Sequence, residues 1–264
     1  MNQLEQKIIK RADELYALRE RSENVSESVA ILEQGKANGS EYEVKWRLGR
    51  AYFFLGQVFC RGGTPWPPSV STEPSSKKRF SILVLVGRPR SAAPTDVCTS
   101  TKASGDFFSK GILVCEQAVA ENPCGVEGHF WLGVNLALCA ETKWPFAAVQ
   151  YCLRAKRAMH RAIRLDPSYH AAGPLRVLAR LEHRLPKYLW GGTARSRAHY
   201  EQALSLAPDN SVTRVYFAEL LMELGEKDLA RSQLEQILAG PNDPAWNFEI
   251  QRDRRTAQDI LKRL

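Results

Sequence analysis

Apolar residues recur every three to four positions along most of this chain, the period of a helix that buries one face. The stretches that keep this period are 2–21, 25–38, 41–57, 105–122, 126–141, 146–165, 173–185, 193–206, 211–224, 227–239 and 245–263. The pattern therefore predicts an all-α protein. Several helices end alike, on a small or aliphatic residue followed five positions later by a proline or turn residue. The copies read AVAENP (118–123), AIRLDP (162–167), ALSLAP (203–208) and ILAGPN (237–242), with spacings of 44, 41 and 34 residues. The proline stops one helix and starts the next.

A second motif falls inside the helices. WRLGRAY (46–52) and FWLGVNL (130–136) are its clearest copies, with VLARLEH (177–183) and YFAELLM (216–222) looser ones. The Leu-Gly or Leu-Ala pair leaves room for a neighbouring helix to come close. The larger residue three positions later fills the space between repeats. Together these residues resemble the tetratricopeptide repeat, W-x2-LG-x2-Y … A-x3-F … A-x4-P. Lys45–Tyr52 with Ala118 and Pro123 meets it most fully, and Gly225, Ala230, Leu234 and Ile237 meet it again. Trp46 stands one position late, and Leu136 and Leu221 replace the tyrosine. The resemblance covers residues 41–57 and 105–242, and residues 12–40 look like an earlier, weaker unit. It implies a right-handed α-α superhelix of about four to five helix pairs, whose first helices line a concave face. The last stretch would cap the array.

A narrower resemblance lies in DPSYHAAGPLRVLARLEHRLPKYLWGG (166–192). This run is similar to bacterial repeat proteins of the TRAP-transporter T-component kind, related in architecture to the regulators of microtubule dynamics. Members of the bacterial group work with a periplasmic transporter. The charged start MNQLEQKIIKRADELY has no apolar segment behind it, so no secretory signal is expected. A cytoplasmic location follows, or a periplasmic one if the true start lies upstream.

Residues 58–104 do not fit the repeat. Tyr52 and Ala118 are 66 residues apart, where an uninterrupted repeat would separate them by about 16, as in a unit of roughly 34 residues. Six of the 14 prolines fall in the insert. Its first part, CRGGTPWPPSVSTEPSSKKR, is rich in Pro, Gly and Ser, and a short apolar run, ILVLV (82–86), follows. Helix cannot continue through it. The readings are an irregular, disordered surface loop, a docking segment built on PWPP and KKR, or an artefact of the gene model. The organisation expected is thus N-terminal repeat-like helices over 1–57, the insert over 58–104, and a helical array with its cap over 105–264.

Composition narrows the function. The chain has 264 residues and a net charge of +8. Residues 154–200 hold eleven Lys or Arg against Asp166 and Glu182, so this window carries +9 and the remainder −1. No phosphate-cradling loop, nucleophile elbow or HExxH zinc motif is present, and the five histidines lack metal spacing. The six cysteines have no CxxC pair and suit free, mostly buried thiols. No catalytic residue, metal or cofactor is expected. Glu219 and Glu223, one turn apart, suit a solvated face.

Counting from the Leu-Gly pair puts Trp46, Arg50, Phe53 and Phe130 on the groove face, followed by Arg176, Arg180, His183 and Arg184. Arg176, Arg180 and Arg184 share one helical stripe. Guanidinium groups are bidentate donors to carboxylates. The expectation is a non-catalytic scaffold that binds a protein or peptide with acidic groups in its groove. One alternative is an accessory ligand-binding protein of a TRAP-type solute transporter. The other is attachment of the 154–200 window to an anionic membrane surface or nucleic acid. Nucleic acid is the weaker of these, because the basic residues lack interleaved exposed aromatics. Self-association is compatible with the repeat. Tyr169, His170, Trp190 and Gly191-Gly192 form a second cluster, read as structural or pocket-lining.

Overall fold

The computed structural model describes residues 3–37, 42–59 and 96–264. Among these the chain is all-α, with helices α1 (Gln3–Ala17), α2 (Ser22–Ala37), α3 (Tyr42–Phe59), α4 (Asp96–Glu121), α5 (Val126–Glu141), α6 (Pro145–Leu165), α7 (Tyr169–Arg184), α8 (Thr193–Leu206), α9 (Ser211–Glu223), α10 (Lys227–Ala239) and α11 (Asn247–Leu261). Single 3-10 turns, Lys187–Leu189 and Pro244–Trp246, precede α8 and α11. The described residues form two compact units, one ending at Leu165 and one beginning at Asp166.

In the first unit α1 pairs with α2, α3 with α4 and α5 with α6, and α3 also packs against α1 and α5. Small residues decide how closely these helices come. A Cβ on Gly49 of α3 would fall 2.1 Å from the Cys115 sulfur on α4. One on Gly111 of α4 would fall 2.4 Å from Asn135 Oδ1 on α5. Asn135 Nδ2 in turn donates to the Gly49 carbonyl at 3.0 Å. Three helices thus meet at one node where two glycines and a buried amide leave room for each other. Gly133 repeats the device one hairpin later, facing Met159. Ala118 and Ala162, the small residues before the prolines, are fully buried.

In the second unit α7 pairs with α8 and α9 with α10, and α11 closes against α9 and α10. Its core joins Tyr200, Phe217, Leu220, Leu221 and Leu234 to Ala257 and Ile260 of α11. Asn210 caps α9, its side chain accepting from Thr213 N at 2.9 Å.

Most predicted helices lie within a residue or two of the observed ones, and three departures have physical causes. The first predicted helix, 2–21, breaks after Ala17, where Leu18–Arg21 turn without Pro or Gly. Most of the insert expected over 58–104 lies outside the described residues; at its margins α3 runs on to Phe59 and α4 begins at Asp96. The small residues of SG (104–105) permit this early start: Ser104 is fully buried, and a Cβ on Gly105 would meet Thr142 Oγ1 at 2.9 Å. At the start of α7, His170, Ala171 and Ala172 adopt left-handed conformations with φ of 52°, 52° and 56°, and regular helix resumes at Gly173.

Candidate functional site

The candidate residues divide between the two units. In the first, Arg50 is only 8% exposed. It donates to Asp13 Oδ1 at 2.6 Å and lies 3.8 Å from the centre of the Tyr16 ring and 5.1 Å from that of Trp46. Arg47 bonds the same Asp13 at 3.0 Å, reaches Glu43 Oε2 at 2.5 Å and lies 4.1 Å from the centre of the Trp46 ring. Trp46 Nε1 donates to Glu43 at 3.1 Å. Burial alone would raise the Asp13 carboxyl, but the bonds from Arg47 and the charge of Arg50 outweigh it and hold the group below its usual value. Beside this array, Leu15, Tyr16, Arg19, Val25, Ser28, Arg50, Ala51 and Phe54 line a small, shallow recess that opens to solvent.

Phe53 is half-buried, with Trp131 at 5.5 Å and Phe54 edge-on at 4.9 Å. Phe130 lies deeper, 2% exposed and packed edge-on against Trp131 at 5.0 Å. It supports the aromatic layer from within the core. The structure therefore brings Trp46 and Arg50 into one ionic-aromatic array and Phe53 and Phe130 onto one buried tryptophan. Lys45, from the same helix, pairs with Glu121, and Tyr42 donates to Glu127 at 2.8 Å.

In the second unit the stripe of arginines faces α9. Arg180 Nη1 donates to Glu219 Oε2 at 2.5 Å, and Arg184 Nη2 donates to the same oxygen at 3.0 Å. Arg184 also stands 3.9 Å from Glu223. Arg180 lies 4.3 Å from the centre of the Tyr216 ring. Burial opposes the charge of Arg180, but Glu219 overrides it and raises the group; Arg184 is lowered by burial and by its neighbour Arg180. The His183 side chain is fully buried, with Nε2 3.2 Å from Glu223 Oε2 but without hydrogen-bond alignment. Glu219, expected on a solvated face, is instead a half-buried partner of two arginines. Glu223, one turn on, keeps the exposure expected of it but stands within ion-pair reach of Arg184 and His183.

Arg176 differs from the other two. It is 5% exposed, and Nη1 donates to the Ala171 carbonyl at 2.9 Å and to Asn210 Oδ1 at 3.2 Å. It thus ties the left-handed turn to the cap of α9. Burial pushes its guanidinium down to about 10. His170, in that turn, packs edge-on against Trp246 at 4.8 Å. Glu182, also in α7 and absent from the sequence candidates, is 3% exposed and joins His199 Nδ1 at 2.9 Å and Arg195 at 3.6 Å. The Gly191-Gly192 turn closes with Gly191 N donating to the Pro186 carbonyl at 3.0 Å, while Trp190 before it is 56% exposed.

No group of three or more His, Cys, Asp or Glu among the described residues could hold a metal ion. Cys115, Cys139 and Cys152 are buried free thiols, and Cys124 is an exposed one. Burial pushes the Cys152 thiol up to about 12 and Cys115 higher, so neither is a ready nucleophile. Among the described residues no helix is long and apolar enough to cross a membrane.

The fold matches known helical-repeat structures. The crystal structure of TTC0263, a thermophilic TPR protein of Thermus thermophilus, aligns with 97% of this chain and 99% of its own at 18% identity and a TM-score of 0.63. A structure of MamA from AMB-1 aligns at 15% identity over 88% of this chain and 87% of its own, with a TM-score of 0.45. Yeast Tom70 aligns at 14% identity over 91% of this chain and 60% of its own, with a TM-score of 0.32. No curated protein matches the sequence. The family model described as TRAP transporter T-component matches residues 113–264, more than half the chain, including the buried Arg176 and the ion pairs joining α7 to α9. With its repeat hairpins and that match, the chain belongs to the TRAP transporter T-component family.

Proposed function

We propose that this chain is a non-catalytic TPR scaffold that holds a protein subunit of a TRAP-type solute transporter. One observation carries the reading: within each unit, the first helices of successive hairpins are cross-linked through their candidate groove residues, which makes a preorganised face rather than a reactive pocket. Asp13 joins α1 to α3, and Glu219 joins α9 to α7 twice. A preformed face loses little conformational entropy on binding. Asp13 and Glu219 are committed to arginines on neighbouring helices, which suits binding and not proton transfer.

In the first unit Phe53 offers a partner apolar contact, and in the second Arg180 and Arg184 offer it charge; the buried Trp46, Arg50 and Phe130, and the buried Arg176 and His183, support each face from within. Glu219 occupies one donor on each of Arg180 and Arg184. A guanidinium has five donors, so acidic side chains of a partner have donors left to meet. Membership in the T-component family supports a transporter subunit as that partner. The test is calorimetric titration of the chain with the purified transporter proteins of its own organism, repeated with Phe53→Ala and with Arg180→Ala/Arg184→Ala. Binding that weakens about tenfold or more in each variant supports the reading, since truncation at an interface centre costs more than about 1.4 kcal/mol. Absence of binding to every subunit, or unchanged affinity in both variants, overturns it.

A further inference from the structure

Helix α6 has a composition that its place in the hairpin does not require. Its sequence, PFAAVQYCLRAKRAMHRAIRL, contains four arginines and a lysine and no aspartate or glutamate. The face toward the core is made of small or flexible residues: Ala148, Cys152, Ala155, Met159 and Ala162 are all buried to 2% exposure or less. The opposite face begins with Phe146, 82% exposed, and continues through Arg157, Arg161 and Arg164. At 100° per residue Phe146, Arg157 and Arg164 lie on one line along the helix, with Arg161 beside them. Trp144, one position before the helix and 81% exposed, adds a second large aromatic at its N-terminal end.

These cations are not neutralised internally as those on α7 are. Arg154 pairs with Glu116. Arg161 reaches the Pro123 carbonyl, at 3.3 Å. Among the described residues no carboxylate pairs with Arg157, Arg161 or Arg164. Their field is felt nearby: burial, joined by the charges of Arg161 and Arg164, holds His129 below its usual range despite its contact with the Pro123 carbonyl.

Two exposed aromatics at one end of an acid-free cationic stripe match one kind of partner. We infer that the outer face of α6 docks on the surface of an anionic lipid bilayer, with Trp144 and Phe146 entering the interfacial layer and Arg157, Arg161 and Arg164 meeting headgroup phosphates. Amphipathic helices that lie on membranes combine these features: a cationic face for anionic headgroups and large aromatics for the acyl boundary. A nucleic-acid duplex would satisfy the arginines but offers no apolar layer to a Trp-Phe tip. The surface shares no residue with the partner face proposed above and does not depend on it.

The test is vesicle flotation of the full chain. Vesicles of phosphatidylcholine with phosphatidylglycerol are compared with phosphatidylcholine alone, at low and physiological ionic strength. The chain is expected to float only with the anionic vesicles, less so as salt screens the arginines. Arg157→Gln/Arg161→Gln/Arg164→Gln is expected to lower the partition coefficient on the order of a hundredfold. Trp144→Ser/Phe146→Ser is expected to retain salt-sensitive attraction but lose the part that resists salt. Brominated lipids are expected to quench the wild type more than Trp144→Phe, which reports insertion directly. Each of these side chains reaches solvent, and circular dichroism confirms that each variant is folded. Failure to float with anionic vesicles, equal flotation of the triple arginine variant, or complete displacement by a DNA duplex with no quenching of Trp144 would overturn the inference.

Discussion

The close approach of α3 and α4 rests on Gly49, and replacing it by alanine tests whether that approach sets the repeat. The new Cβ would lie 2.1 Å from Cys115 Sγ and 3.6 Å from the Gly111 carbonyl oxygen. Cys115 is fully buried, so its sulfur has no route to solvent. Two effects oppose each other. Alanine in a helix interior is favoured over glycine by about 1 kcal/mol. Forcing a methyl into a packed contact costs about 1–3 kcal/mol. Gly49→Ala should therefore be neutral to destabilising by about 2 kcal/mol, never the simple gain that propensity promises. Cys115→Ala alone should destabilise by leaving a hole the size of a sulfur. The double variant fills that hole with the new methyl, because the Cys115 Cβ lies 3.8 Å from the position 49 Cβ, an ordinary contact. Urea unfolding of the four proteins gives the coupling energy, expected to favour the pair by at least about 1 kcal/mol. If Gly49→Ala alone gains about 1 kcal/mol and the two changes are additive, the close approach does not hold these helices, and the argument from the Leu-Gly pair fails.

Other substitutions test the remaining elements. Gly191→Ala would put a Cβ 1.7 Å from the Leu185 carbonyl oxygen, whereas at Gly192 nothing stands closer than 3.7 Å and φ is extended at 170°. The first should lower stability by about 3 kcal/mol or more and the second by no more than about 0.5 kcal/mol, read from denaturation midpoints. Asp13→Asn should weaken the protein at neutral pH. Because the folded carboxyl titrates below its usual value, its contribution is full above the ordinary Asp range and fades as the pH falls through the folded value; the two proteins should converge in the same assay once the pH is below that value. Glu219→Gln should keep an acceptor but remove the negative charge shared by Arg180 and Arg184, leaving the two cations facing each other, costing about 2 kcal/mol at low salt and less as salt screens the repulsion.

The repeat was legible because its geometry demands particular small residues at particular positions. Gly49, Gly133, Ala118, Ala162 and Ala203 are buried where helices pack, and the two glycines have no room for even a Cβ without a shift of the facing Cys115 sulfur or Met159 methyl. The early start of α4 was not legible. Ser104 and Gly105 look like loop residues until the burial of the first and the contact of the second with Thr142 are seen. Nor was the left-handed turn at His170–Ala172. That segment contains no glycine, and the donor that ties it down, Arg176, acts through backbone carbonyls. Phe130 lies in FWLGVNLALCA, apolar on every side, so periodicity could not say which face is buried. Trp131, next to it, is the residue on which the aromatic layer is built.

Counting charges placed the basic character of the chain in one window, but the structure divides that window into two different surfaces. Arg180 and Arg184 meet Glu219 and Glu223 from the following hairpin, Arg195 meets Glu182, and Arg197 meets Glu201 and Glu226. Of these partners only Glu182 lies within the window, and Glu219 stands 39 residues from Arg180, so a count of acids within the window misses the rest. After pairing, the α7 and α8 part of the window is close to neutral, whereas α6 keeps Arg157, Arg161 and Arg164. The two alternatives that the sequence left in one window therefore become separable. On the two proposals above, long-range attraction to anionic surfaces would belong to α6, and short-range recognition of a partner's carboxylates to α7, where Glu219 shares the donors. A variant that neutralises the α6 arginines should lose salt-dependent binding and keep its protein partner. A variant at Arg180 and Arg184 should do the reverse, and a single substitution set that abolished both would mean that one surface serves both roles.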